Sequence, residues 1–183
     1  MAILKSSIRR MLLIASALAI SSATATELRH AGDSRVQVGW TDPADFSEAR
    51  QNYGGGLGRP SPEEWLGDLA RHLGHRAERV LPQGERLQVT FTNVQRAGTY
   101  EPWRGPMWDD VRIVKNIYPP RIDLTFTLTD ASGAVIKEGR RELRDPAFLQ
   151  RGTLNETDPL RYEKRMLDDW LRSEFADARD TRS

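Results

Sequence analysis

The side chains able to do chemistry in this chain of 183 residues are few and widely spaced. Asp68, His72 and His75 recur at steps of four and three on the polar side of a helix, a pattern that could begin a zinc site. Such a site needs at least three protein ligands with supporting partners, and no further donor is spaced to join them, so a solvated helix face is expected and no metal. Gly54-Gly55-Gly56-Leu57-Gly58 precedes a helix as a phosphate loop would. It follows no immediate strand and lacks the Gly-Lys-Ser/Thr ending, which makes it a linker. There is no cysteine, no G-x-S-x-G elbow and no Ser-x-x-Lys, so nucleophilic catalysis has no candidate. The paired acids Asp109-Asp110 and Asp168-Asp169 would be hydrolytic only in a cleft that raises one pKa. No catalytic residue or cofactor is therefore expected. A hydrolase using carboxylates with a histidine helper is the alternative.

The residues best suited to a function are aromatic. Tyr100, Trp103, Met107, Trp108 and Tyr118 are interleaved with Pro102, Pro106, Pro119 and Pro120. Rigid prolines and large amphipathic rings make contact area at low entropic cost, as recognition surfaces require. The expectation is a non-catalytic binding domain that uses the Tyr100–Pro120 segment to meet an envelope protein or a small ligand. The competing reading is a loop that folds back and plugs a sheet edge with its own rings.

Compartment follows from the N-terminus. Lys5, Arg9 and Arg10, the apolar run Met11 to Ile20 and the sequence Ala23-Thr24-Ala25 have the three parts of a secretory leader. Residues 1–25 are read as a cleaved signal peptide, 26–176 as one domain and 177–183 as a frayed polar tail, with a periplasmic destination and no membrane anchor. Without the leader, 24 basic residues face 26 acidic ones, a net charge of −2, which offers nucleic acid no footprint.

Several elements must position these residues. Ile122, Leu124, Phe126 and Leu128 alternate with Asp123, Thr125, Thr127 and Thr129, which predicts a half-buried strand. Asp130 to Gly133 then supplies a hairpin turn into a return strand charged on both faces. Ser61 and Glu64 predict a capping box opening a helix over 62–81, with Leu66, Leu69, Leu73, Ala77 and Val80 on one arc. Gly67 and Gly74 flank that arc and predict close backbone approach. Further strands are expected at Arg35–Trp40 and from Leu87, a short one within Val111–Ile117, and a last helix from Pro159. Asp42-Pro43, Asp145-Pro146 and Asp158-Pro159 mark capped starts. The fold class is α+β: a mostly antiparallel sheet of four to five strands with two main helices on one face. Whether the first strand, helix and second strand form a parallel crossover is left open by the sequence.

With Ala131 to Gly133 as the loop, Leu128 would face Ile136, Phe126 would face Glu138 and Leu124 would face Arg140, aiming charge at the core. Glu163 lies within the apolar arc of the last helix. A lone buried charge costs several kcal/mol, so Arg140 or Arg141 is expected to pair with Glu163, unless a bulge resets the register.

Together, VQVGW followed by DP, VLPQGERLQVTFTNV, AGTYEPW, the hairpin and YEKRMLDDWL resemble the bacterial envelope family called domain of unknown function 3016. The resemblance spans Val36 to about Leu171, with Gln95-Arg96 where aspartate and leucine are common. It implies an exported protein and brings no activity, substrate or catalytic residue.

Overall fold

The computed structural model describes residues 34–51, 59–151 and 157–175. The leader at 1–25, the Gly54–Gly58 run and the tail from 177 lie outside the described residues. Strands β1 (Val36–Trp40), β2 (Arg86–Gln95), β5 (Arg121–Thr129) and β6 (Val135–Arg144) form one sheet in the order β1-β2-β5-β6. Two short strands, β3 (Thr99–Tyr100) and β4 (Arg112–Ile113), pair separately. The helices are α1 (Ser47–Gln51), α2 (Pro62–Val80) and α3 (Arg161–Glu174). β1 runs parallel to β2 and the other pairs are antiparallel, so α2 lies on a crossover within an otherwise antiparallel α+β fold.

Local chemistry explains the main elements. Ser61 and Glu64 close a reciprocal capping box at the start of α2, Pro62 pre-sets the first helical φ, and Leu81 ends the helix in extended backbone. Leu66, Leu69, Leu73 and Ala77 are fully buried, and each leucine contributes about 1.5–3 kcal/mol by leaving water. Asp158 accepts the Leu160 N–H at 2.8 Å in the turn before α3, which starts at Arg161 rather than at the expected Pro159 and buries Met166, Leu167, Trp170 and Leu171. Asp42 and Asp145 accept the N–H of Ala44 and Ala147 in the same way. Both long helices join one core with Val36, Val38, Leu87, Val89, Phe91, Leu124, Phe126 and Leu128. They therefore cover one face of the sheet, while Thr90, Thr125 and Thr127 occupy the other.

The hairpin turns on Asp130, whose carboxylate accepts the N–H groups of Ser132 and Ala134 at 2.8 and 3.0 Å, and on Gly133 at φ 87°. A bulge between Leu128 and Thr129 then moves the register by one residue from the expected one. Leu128 pairs with Lys137, Phe126 with Gly139 and Leu124 with Arg141, so Ile136 is exposed and Lys137 and Arg141 reach the helix side.

The expected pairing of Arg140 or Arg141 with Glu163 is not formed. Arg141 donates Nε and Nη2 to Glu174 at 2.7 and 2.8 Å, Lys137 lies 2.8 Å from the same carboxylate, and Arg140 sits 3.8 Å from Glu142. β6 meets the last turn of α3, whereas Glu163 is in the first, about 16 Å away along the axis. Gly67 and Gly74 are also not sites of close approach. A Cβ on Gly74 would meet nothing within 4 Å, and one on Gly67 only the Arg71 guanidinium at 3.9 Å.

Candidate functional site

The 100–120 segment rests on a turn at Arg96, Ala97 and Gly98 that follows β2. Its N–H groups leave the sheet and are taken singly: Arg96 by Glu48 at 2.8 Å, Ala97 by Glu163 at 2.6 Å, and Gly98 by the Tyr118 carbonyl at 2.9 Å. Its three carbonyls accept from one guanidinium, that of Arg112, at 2.9, 2.7 and 3.1 Å in chain order. A buried backbone without a ladder needs such partners, since each orphaned group costs about 1–3 kcal/mol. Gly98 is obligatory here: its φ is 85°, and a Cβ would stand 2.7 Å from the Ile113 carbonyl oxygen.

Charge compensates charge beneath the turn. Glu48 accepts from Arg96 Nε and Nη2 at 2.8 and 2.5 Å and from Arg112 at 3.1 Å, while Arg96 stacks on Trp65 at 4.6 Å. Burial alone would raise the Glu48 pKa, but Arg112 and Arg96 together hold it below the usual carboxylate range. For Glu163, whose Oε2 has no hydrogen-bond partner, burial prevails and pushes the carboxyl up.

Glu101 pins the segment that follows. It accepts from Lys115 at 2.6 Å, from the Tyr118 hydroxyl at 3.0 Å and from Arg104, and Lys115 leads these in holding it down to about 2. Arg59 lies 3.9 Å over the Tyr100 ring and donates to the Asp109 carbonyl at 2.6 Å. The two ends of the segment are thus tied to each other through Glu101, and its middle to Arg59.

The expected contact residues divide accordingly. Tyr100 is buried and Tyr118 half-buried, both serving as pins, whereas Trp103, Met107 and Trp108 stand outward at 70%, 87% and 40% exposure. Ile117, 65% exposed, joins Tyr100, Trp103 and Tyr118 around a groove of about 330 Å³. Met107 and Trp108 lie outside that groove, so the five residues are not one cluster. The tryptophans do not plug the sheet edge.

Of the two acid pairs, Asp109-Asp110 stands apart from the α2 histidines, whereas Asp168 meets His72 beside a cleft between α2 and α3. Asp109 and Asp110 sit on the exposed segment beside Arg59, whereas His72 and His75 are on α2 and His72 hydrogen-bonds Asp168 at 2.9 Å. Among the described residues, no group of three or more potential ligands is placed to hold a metal ion. Glu48, Glu101, Arg112 and Lys115 escape a sequence reading, because scattered charges in polar stretches read as solvated surface. The available signals were Glu163 in its apolar arc and a glycine closing the Arg96-Ala97-Gly98 turn.

Fold and site together define an α+β domain that presents a pinned loop with an apolar outer face. The chain belongs to the family described as a protein of unknown function, DUF3016, matched over residues 34–173. No curated protein matches it. No helix among the described residues is long and apolar enough to cross a membrane.

Proposed function

We propose that this protein is an exported, periplasmic binding domain whose 100–120 segment receives an apolar segment of an envelope protein. The observation that carries the reading is the exposure of Trp103, Met107 and Ile117 on a backbone anchored by Glu101, Arg112 and Lys115. Large apolar side chains held out to water on a fixed support gain contact area without an ordering cost, the usual composition of an interface hot spot. The leader-like residues 1–25 support the compartment, and the groove beside Trp103 and Ile117 supplies the concavity.

Capture from periplasmic extract with the wild type and with a Trp103→Ala/Trp108→Ala variant tests this. The variant should melt within a few degrees of the wild type and lose its captured protein. Melting that collapses, or capture that is unchanged, would show that the rings serve the fold or nothing at all. Capture of no protein, with a small apolar molecule retained instead, would move the reading to a ligand site.

A further inference from the structure

A second concavity, of about 580 Å³, opens between α2 and α3 on the side away from the sheet residues named above. Arg71, His72, His75, Arg76 and Arg79 line it from α2, and Lys164 from α3. Along α2 these residues neighbour one another at steps of three and four, where like charges weaken a helix. The helix dipole does not account for the stripe, since only Arg79 falls in the last turn. Four permanent cations thus line a cleft whose acidic members are Asp68 and Asp168.

The acids orient the cations more than they occupy them. Asp168 Oδ1 lies 2.9 Å from His72 Nε2 and accepts from Arg76 Nε at 3.0 Å. Arg79 is tethered by its own Nε to the His75 carbonyl at 3.1 Å. Neither guanidinium uses Nη1 or Nη2 in a hydrogen bond to a described residue, so each keeps the end of its fork that grips two oxygens at once. Arg71 is engaged by Asp68, and Lys164 by Asp158 at 2.5 Å.

We propose that the cleft between α2 and α3 binds a phosphate-bearing anion, gripped by the Arg76 and Arg79 forks with Lys164 and the histidines around it. Two forks ask for four acceptor oxygens, more than one carboxylate offers and what linked phosphates supply. The volume exceeds that of a single phosphate and suits an oligophosphate or a phosphorylated headgroup.

Calorimetric titration of the mature chain with sodium tripolyphosphate, beside sedimentation with phosphatidylglycerol vesicles against phosphatidylcholine ones, tests this and separates the two sources. The wild type should show saturable binding in at least one arm. Arg76→Lys/Arg79→Lys keeps the charge and removes the forks, and should weaken binding about tenfold. Arg79→Lys alone, at an exposed position, gives the same reading should the double variant fold poorly. Tripolyphosphate binding assigns a free phosphate compound, and binding confined to phosphatidylglycerol assigns a headgroup. Binding in neither arm, or equal binding by the lysine variants, would overturn the proposal.

Discussion

Glu163 Oε1 lies 2.6 Å from the amide nitrogen of Ala97 and joins the first turn of α3 to the turn that closes β2. The other oxygen is buried without a hydrogen-bond partner, and burial raises the pKa from the ordinary 4.5. A raised pKa on an acid means that its contribution to stability is complete below 4.5 and is lost as pH rises through the folded-state value. Ionisation of this carboxyl as pH rises therefore works against the fold. Glu163→Gln keeps an acceptor for Ala97 and cannot ionise, so urea denaturation at pH 7 should find it at least as stable as the wild type. Glu163→Ala leaves the amide orphaned and a cavity behind, and should lose about 2–4 kcal/mol. A glutamine variant as weak as the alanine one would mean that the charge itself is needed.

At the other end of α3 the sign reverses. Arg141, with Lys137 behind it, holds Glu174 down to about 2 against the opposing effect of burial. A depressed pKa stabilises above 4.5, and that contribution disappears as pH falls through about 2. Glu174→Gln should cost about 1–2 kcal/mol at pH 7, the worth of charge-assisted hydrogen bonds, and the gap to the wild type should close toward pH 2. Glu101, also at about 2, leaves the wild type acid-labile over the same interval. A gap that stayed constant with pH would rule out the ion pair as its source.

Two glycines should respond to alanine in opposite directions. Gly98→Ala forces a Cβ to 2.7 Å from the Ile113 carbonyl oxygen at φ 85° and should destabilise by more than about 2 kcal/mol. Gly74→Ala adds a methyl where nothing lies within 4 Å, in a helix interior, and should stabilise by about 1 kcal/mol. Thermal melts of the two variants check both signs together.

What a sequence shows of such a fold depends on whether the cause is local. The alternation at Ile122 to Leu128, the Ser61/Glu64 box and the Asp42 cap are governed by neighbours within a few residues and stand where their patterns place them, whereas α3 starts two residues beyond Pro159. The β6 register depends on one bulged residue, which no pattern announces. The turn at Arg96 to Gly98 lies further out of reach: Glu48, Arg112 and Glu163 converge on it from three distant segments. Glu163 announced its burial by its phase on the helix, but its partner is a backbone amide, and a backbone amide carries no sequence signature. The loop rings were visible as residue types, while their division into pins and exposed faces depends on Glu101 and Arg59.

The parallel pairing of β1 with β2 also bears on the order of assembly. Val36 must wait for Leu87, about fifty residues later, and for α2 to be laid between them, while β5 and β6 close through a tight hairpin. The strand made first is therefore among the last to find its place. The Arg141 clasp adds a second delay, because Glu174 follows Arg141 by 33 residues. Both edges of the sheet are secured by contacts between remote segments, so an incomplete chain has a formed middle and two open sides.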